Sequence, residues 1–129
     1  MSFKKGNTYG HATLGRMLPG RDPTEHPTIL DIAWAAGIYE GEGCCCKTIK
    51  GTSVVTVSQK HRWLTDKLRD LFGGTVRLYR NNGLAKGDIY RWHVSGTRAR
   101  GFLLTSYQFL SPHRQAQALK ALGRIQFVS

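Results

Sequence analysis

The sequence predicts an α+β fold, in which a four-stranded antiparallel sheet carries helices on one face and leaves the other face free. Three observations lead to this prediction. The spacing of apolar residues changes between helical and alternating periods along the chain. Glycines and prolines fall where one pattern gives way to the next. At 129 residues the chain suffices for the core of one domain and not of two. We expect the order helix, hairpin, helix, hairpin, helix, helix.

The first helix and hairpin follow from residues 28–59. Thr28 is a suitable N-cap for a helix over 29–42. Alternation then predicts strands at 44–50 and 53–59, joined by a tight turn at 50–52. In and beside the second strand, the inward positions are Val55 and Val57, and the outward positions are Thr52, Val54, Thr56 and Ser58.

A second helix and hairpin repeat this arrangement. A leucine stripe predicts a helix from Lys60, which Gly73-Gly74 should end. Strands are predicted at 75–80 and 89–95, linked by a loop over 81–88. In the last of these strands the inward positions are Tyr90, Trp92 and Val94, and the outward positions are Arg91 and His93.

Two further helices complete the predicted domain. One spans about 97–109, and the other begins at Ser111-Pro112 and ends at Gly123. We expect the rings of Trp63 and Trp92 to lie in the core, because large aromatic rings supply much buried apolar area.

The charge of the chain predicts a polyanionic partner. Nineteen Lys and Arg against eight Asp and Glu give a formal net charge of +11, which favours nucleic acid over an anionic membrane. No apolar run reaches the length of a membrane span, and the first residues lack the apolar core of a signal peptide. We therefore expect an intracellular protein, in the cytoplasm, nucleoid or an organelle, that is not secreted and has no membrane partner.

Two segments differ from the rest in composition. Residues 1–27 are basic, contain several glycines and prolines and lack a hydrophobic period, so we expect an extended N-terminal arm followed by one domain over 28–129. The consecutive Cys44, Cys45 and Cys46 have neither disulfide nor zinc-ligand spacing. They are interpreted as small, semi-apolar residues in a reducing compartment.

The two predicted hairpins form a basic surface. Residues 44–59 and 74–95 hold six Lys or Arg and a single acid, Asp88. Such a surface suits phosphates and base edges, although ordinary solvated strand faces would look similar. The residues predicted to contact nucleic acid are Lys47, Lys50, Thr52, Thr56, Arg77, Tyr79, Arg91 and His93.

The first helix carries a ridge of small residues. Ala33, Gly37 and Gly41 recur every four residues, so they lie on one face and permit another backbone to approach closely. Each glycine inside a helix costs about 1 kcal/mol relative to alanine, which indicates a packing function. Glu42 follows this ridge at the end of the helix, where the dipole disfavours an acid and favours a metal or basic partner.

Residues 35–43, AAGIYEGEG, resemble the LAGLIDADG motif, and the chain from about Thr28 to Leu122 resembles a LAGLIDADG homing endonuclease domain. The resemblance implies the αββαββα order and a saddle-shaped sheet. The further segments that carry it are 57–60, 68–74, 90–96 and 109–112.

One copy of the motif implies a homodimer, because family members with one copy pair two identical chains. The dimer would join the ridges of Ala33, Gly37 and Gly41 and place two identical sheets over double-stranded DNA. The implied activity is that of an intron-type homing endonuclease, which breaks both strands of a long pseudo-palindromic site and leaves short 3′ overhangs.

The resemblance also implies a catalytic group. Glu42 would act in catalysis and hold Mg²⁺ or another divalent cation, which phosphodiester hydrolysis can use. Gln59 matches a polar residue that orients water near the metal. A basic residue that supports the scissile phosphate falls on His113 or Arg114, depending on the alignment.

Simpler roles remain open for these residues. Glu42 can merely end its helix, Gln59 can cap the helix at Lys60, and His113 and Arg114 can be surface residues. Glu40 faces away from Glu42 and is interpreted as structural or solvated. The alternative function is a non-cleaving nucleic-acid binder of the same fold, either an intron RNA maturase or a DNA-binding regulator.

Overall fold

The computed structural model describes residues 21–80 and 87–123 of the chain. The predicted arm up to residue 20, most of the predicted 81–88 loop and residues 124–129 lie outside the described residues. The helices are α1 (Ile29–Glu42), α2 (Arg62–Phe72), α3 (Gly96–Ser106) and α4 (Pro112–Leu122), and a 3-10 helix (Tyr107–Phe109) joins the last two. The strands are β1 (Gly43–Lys47), β2 (Ser53–Gln59), β3 (Thr75–Tyr79) and β4 (Ile89–Ser95).

The four strands form one antiparallel sheet in the order β1-β2-β4-β3. Val55 pairs with Val94, and Val57 pairs with Trp92, and all four side chains are buried beneath the helices. The alternate positions of β2 and β4 point away from the helices, as predicted. The predicted α+β fold is therefore confirmed.

An aromatic cluster fills the space between the sheet and the helices. The Phe102 ring lies 5.3 Å from that of Trp92, 5.5 Å from that of Tyr39 and 5.0 Å from that of Phe72, measured between centroids. The Trp92 indole N–H donates to the Gly73 carbonyl at 2.8 Å, so the polar end of this buried ring is satisfied. Edge-to-face pairs of this kind contribute about 0.5–1.5 kcal/mol each beyond burial.

Helix α1 begins where the sequence predicted. The Thr28 hydroxyl accepts from the Asp31 amide at 3.2 Å, and the Asp31 carboxylate accepts from the Thr28 amide at 2.9 Å. This reciprocal pair is a capping box, and the hydrogen bond from the Thr28 backbone amide holds the pKa of Asp31 below its usual range. The N-terminal end of α1 is thus fixed by its own residues.

The first hairpin turns earlier than the predicted 50–52 turn. Strand β1 stops at Lys47, because the Thr48 carbonyl accepts from the Gly51 amide at 2.8 Å and the Thr48 hydroxyl accepts from the Thr52 amide at 3.0 Å. Gly51 has a φ of 88°, which favours glycine. The strand predicted to reach residue 50 is correspondingly shorter.

Two other boundaries differ from prediction. Helix α2 starts at Arg62 rather than Lys60, because the chain is still extended at His61. No side chain caps the start of α2, so the simpler alternative, in which Gln59 caps this helix, does not hold. The helix predicted over 97–109 ends at Ser106 and continues as the 3-10 turn.

The prediction that Trp63 lies in the core is wrong. Its side chain is 61% exposed, whereas Trp92 is fully buried. Helix α2 turns Thr65, Leu68 and Leu71 toward the sheet, which leaves Trp63 on its outer side.

Part of the predicted arm is attached to the domain. Arg21 pairs through its backbone with Gly74, with N···O distances of 3.1 and 2.8 Å, and its guanidinium lies 2.9 Å from the Asp70 carboxylate. Asp22 pairs with Arg98 at 2.6 Å. Across 21–80 and 87–123, no helix combines the length and the apolar character needed to cross a membrane.

Candidate functional site

Glu42 and Gln59 come from different elements that meet at one end of the sheet. Glu42 is the last residue of α1, and the next residue, Gly43, opens β1 opposite Val57. Gln59 ends β2 shortly beyond Val57, opposite Tyr90. The register therefore brings both predicted catalytic positions to the same end of the sheet, Glu42 exposed and Gln59 partly buried.

The Glu42 carboxylate makes no hydrogen bond or ion pair with any residue in the described part of the chain. The last turn of α1 contains no basic residue, and the negative end of the helix dipole lies there. Both features disfavour an acid at this position unless a cation approaches it. Glu42 is thus available to an external cation.

The Glu42 carboxylate can bind a divalent cation if other groups supply the remaining ligands. No three His, Cys, Asp or Glu side chains among residues 21–80 and 87–123 come together as a metal site. Mg²⁺ is commonly held by one or two carboxylates together with phosphate oxygens and water. An exposed carboxylate without an internal partner suits that donor set, and the remaining ligands would come from outside the described chain.

Glu40 is engaged in structure. Its carboxylate accepts from the Ser111 amide at 2.9 Å and from the Ser111 hydroxyl at 2.7 Å, and these two hydrogen bonds, the amide first, hold the pKa of Glu40 below its usual range. Ser111 is also the N-cap of α4 and accepts from the Arg114 amide at 3.3 Å. The structural interpretation of Glu40 is confirmed.

His113 and Arg114 occupy different environments in the first turn of α4. Arg114 is partly buried, and its Nε and Nη2 donate to the Glu40 carbonyl at 3.2 and 3.1 Å. Its Nη1 donates to the Gln117 side-chain oxygen at 3.1 Å. His113 is exposed, and its Nε2 lies 3.3 Å from the Gln117 amide nitrogen.

The outer face of the sheet brings together five of the predicted nucleic-acid contacts: Thr56, Arg77, Tyr79, Arg91 and His93. The Arg91 guanidinium lies 4.7 Å from the Tyr79 ring centroid, and that of Arg77 lies 5.6 Å from it. Arg91 Nε also donates to the Ser58 hydroxyl at 3.0 Å. Ser58 was not among the predicted contacts, although its outward position follows from the alternation of β2.

His93 lies on this face between β2 and β3, opposite Thr56 and Thr75. Partial burial, followed by the positive charges of Arg91 and Arg77, holds the pKa of His93 below its usual range. The surroundings of His93 on the outer face thus favour the neutral form of its imidazole.

The remaining predicted contacts lie at the β1–β2 hairpin. Lys50 and Thr52 are exposed in the turn. Lys47 pairs with the buried Ser53, so its register places it with the inward-facing residues instead of the outer face, although its side chain is exposed. Ile49, which the sequence interpretation missed, is a fully exposed apolar residue at the tip.

The ridge of small residues on α1 faces away from its own domain. A Cβ built at Gly37 or Gly41 would meet nothing within 4 Å among the described residues. Both glycines are exposed, and Ala33 is partly buried. Ala35, Ala36 and Tyr39 are buried on the side of α1 that faces the core. The opposite side of α1 is therefore open.

Apolar side chains that the interpretation missed lie beside this ridge. Leu30 is 77% exposed, and the Trp34 and Trp63 rings lie 6.3 Å apart. The spacing of Leu30, Trp34, Gly37 and Gly41 along one helical stripe was the available signal. Trp63 could not be found in this way, since it lies on another helix.

Comparison with solved structures finds 20 matching chains. One is homing endonuclease I-CvuI with the I-CreI target C1221 in 2 mM Mg, with the DNA not cleaved, at 25% identity and a TM-score of 0.62 over 75% of this chain and 66% of that chain. Another is I-CvuI with its target Sro1.3 in 2 mM Ca, at 24% identity and a TM-score of 0.59 over 76% and 67%.

The chain thus spans about two thirds of the length of the I-CvuI chains that it matches. No family model and no curated protein matches the sequence. The sheet and helices of the chain thus form the fold of the homing endonuclease I-CvuI, and residues 35–43 resemble the LAGLIDADG motif.

Proposed function

We propose that the chain is a site-specific double-strand DNA endonuclease that acts as a homodimer with a divalent cation. The observation that carries this proposal is the exposed Glu42 carboxylate, which has no partner in the described part of the chain and ends a helix with an open glycine ridge. The likeness to DNA-bound I-CvuI supports duplex DNA as the substrate.

Glu42 would hold Mg²⁺ or another divalent cation, which activates water and neutralises charge on the scissile phosphate. Gln59, at the same end of the sheet, offers an amide that can orient a water molecule. His113 offers an exposed ring nitrogen at the start of α4, next to the segment that contacts Glu40. In this proposal Glu42 holds the cation, Gln59 orients the nucleophilic water and His113 supports the phosphate.

Recognition would use the outer face of the sheet. Arg77 and Arg91 supply positive charge, and guanidinium groups can contact phosphates or guanine edges. The outer face also carries polar groups that can form hydrogen bonds with DNA, on Thr56, Tyr79 and His93. Lys50 and Thr52 would extend the DNA-contacting surface along the β1–β2 hairpin. Lys47 would contact DNA only from the end of β1.

The homodimer would bring two Glu42 carboxylates together. The ridge of Ala33, Gly37 and Gly41 allows two α1 helices to approach closely, and a two-fold axis would then relate two identical sheets. Such a pair would bind a long pseudo-palindrome, with one sheet on each half-site.

The test is to incubate the protein and its Glu42→Gln variant with a randomised duplex library and Mg²⁺ and to sequence the ends produced. We expect sequence-specific breaks from the wild type and at least about a hundredfold slower cleavage by the variant, with binding retained. Glu25→Gln is the matched control, since it removes the same charge from an exposed position before α1.

Breaks that persist at the wild-type rate in Glu42→Gln would contradict the proposed role of Glu42. Specific binding without breaks in either protein would instead favour the non-cleaving binder. Binding to structured RNA in preference to duplex DNA would point to the maturase, and preference for duplex DNA would point to the regulator.

A further inference from the structure

The C-terminal end of α1 is held by a residue from another helix. Helices end with carbonyls that lack a partner within the helix, and α1 has no basic residue of its own in its last turn. The Gly43 amide satisfies the Tyr39 carbonyl. The Glu40 carbonyl receives two hydrogen bonds from Arg114, at 3.2 and 3.1 Å.

Every nitrogen of the Arg114 guanidinium contacts a group of the protein. Nε and Nη2 share the Glu40 carbonyl, and Nη1 donates to Gln117 at 3.1 Å. The guanidinium carbon lies 5.1 Å from the ring centroid of Tyr39, which is fully buried. Turning Arg114 outward would remove all of these contacts together.

The same two helices are joined in the opposite direction. The Glu40 side chain accepts from the Ser111 amide and hydroxyl at the start of α4, at 2.9 and 2.7 Å. Thus α1 caps α4 through Glu40, and α4 caps α1 through Arg114. We call Glu40, Ser111 and Arg114 the reciprocal cap.

We infer that Arg114 is a positioning residue that fixes the last turn of α1 and thereby the Glu42 carboxylate, and that it is not a phosphate ligand. The inference rests on the proposed function, because Glu42 is the group that Arg114 positions. Three of the five N–H donors of Arg114 face the Glu40 carbonyl and Gln117, and the partly buried guanidinium lies over the Tyr39 ring, so the group is directed into the protein. His113, exposed beside it, remains the basic side chain of this turn that faces outward.

Two substitutions of Arg114 separate positioning from charge. Arg114→Met keeps a long apolar stem over Tyr39 and removes the donors. Arg114→Lys keeps the charge, but an ammonium cannot give two parallel hydrogen bonds to one carbonyl in the manner of a guanidinium. His113→Gln is the matched neighbour, since it changes the adjacent side chain outside the reciprocal cap.

Three quantities are measured for each variant: the cleavage rate at saturating DNA, the DNA affinity without divalent ions, and amide hydrogen exchange over residues 41–44. We expect both Arg114 variants to cleave about tenfold or more slowly and to exchange these amides about tenfold or more faster, with affinity within about twofold of wild type. His113→Gln should leave the amide exchange unchanged.

Wild-type cleavage by Arg114→Lys, or a loss of affinity with unchanged amide exchange, would overturn the inference, because Arg114 would then act through its charge on DNA. If the wild type cleaves no DNA, the proposed function fails, while amide exchange still decides whether Arg114 orders this turn. Arg114→Lys keeps both the stem and the charge, so it remains informative if Arg114→Met does not fold.

Discussion

Two glutamates of one motif have opposite environments at the end of α1. The Glu40 carboxylate accepts two hydrogen bonds from Ser111, whereas Glu42 has no partner within 21–80 and 87–123. Residues two apart on a helix face in different directions, which is why one acid meets α4 and the other does not. The hydrogen bonds from Ser111 hold Glu40 within the protein, so Glu42 is the acid of this motif that we propose to hold the cation.

His93 gives the outer face a dependence on pH. Its pKa lies below the usual value in the free protein, owing to partial burial and then to Arg91 and Arg77. A nearby DNA phosphate would raise that pKa, so binding would take up a proton. We expect affinity to increase by roughly threefold for each His93 as the pH falls from about 7.5 to 6, and to approach about tenfold for a one-unit rise in pKa only below the pKa of the free protein.

Calorimetry at pH 6.5 in two buffers of different ionisation enthalpy measures this proton uptake, and His93→Gln should reduce it. His26→Gln is the comparison, since His26 is exposed before α1, outside the sheet and the proposed catalytic residues. Equal proton uptake by wild type and His93→Gln would show that His93 does not approach a phosphate.

At the scale of elements, the periodicity of the sequence correctly predicted those features that depend on neighbouring residues in the chain. The capping box at Thr28 and the alternation of β2 and β4 depend on residues a few positions apart, and both were found. The turn of the first hairpin was misplaced, because the Thr48 side chain supplied an acceptor that the Gly51 signal did not reveal.

The candidate site was predicted only as far as the motif reached. Residues 33–42 were sufficient to predict the importance of Glu42 and of the small-residue ridge. They could not show whether His113 or Arg114 faces outward. The bonds from Arg114 to the Glu40 carbonyl join residues 74 positions apart, so they depend on how α4 packs beside α1. The exposure of Trp63 likewise depends on which side of α2 meets the sheet.

The open ridge of α1 predicts the effect of a large side chain on assembly. A Cβ at Gly37 meets nothing within 4 Å, so Gly37→Leu should leave the monomer fold intact and raise its unfolding free energy by roughly 0.5–1 kcal/mol through helix propensity. A dimer that joins two ridges would lose its close contact. We expect a monomer by sedimentation at concentrations where the wild type is a dimer.

Gly101→Leu provides the control, because Gly101 is an exposed glycine of α3 that also has nothing within 4 Å of a built Cβ. It should raise helix stability without changing the oligomeric state. A dimer that persists in Gly37→Leu would place the interface elsewhere on the chain.

For the whole molecule, the acids and bases are distributed unevenly. Asp66 lies between Arg62 and Arg69 on α2, and Asp22 pairs with Arg98 on the helix-covered side. Most of the described acids are thus tied to helices or their caps. The outer positions of the β strands within the described residues carry basic and neutral side chains and no carboxylate.

This distribution predicts how binding should respond to salt. A protein that neutralises phosphates releases counterions, and the logarithm of affinity falls with the logarithm of salt concentration by about 0.9 per phosphate contact. Because the proposed homodimer carries each substitution twice, Arg77→Gln and Arg91→Gln should each reduce that slope by about 1.8, provided that each side chain meets a phosphate. Lys120→Gln, an equal change of charge at an exposed position of α4, should leave the slope unchanged. Affinity measured from low to moderate salt on one fixed duplex tests this, and equal slopes for Arg77→Gln, Arg91→Gln and wild type would mean that the outer face does not bind the DNA backbone.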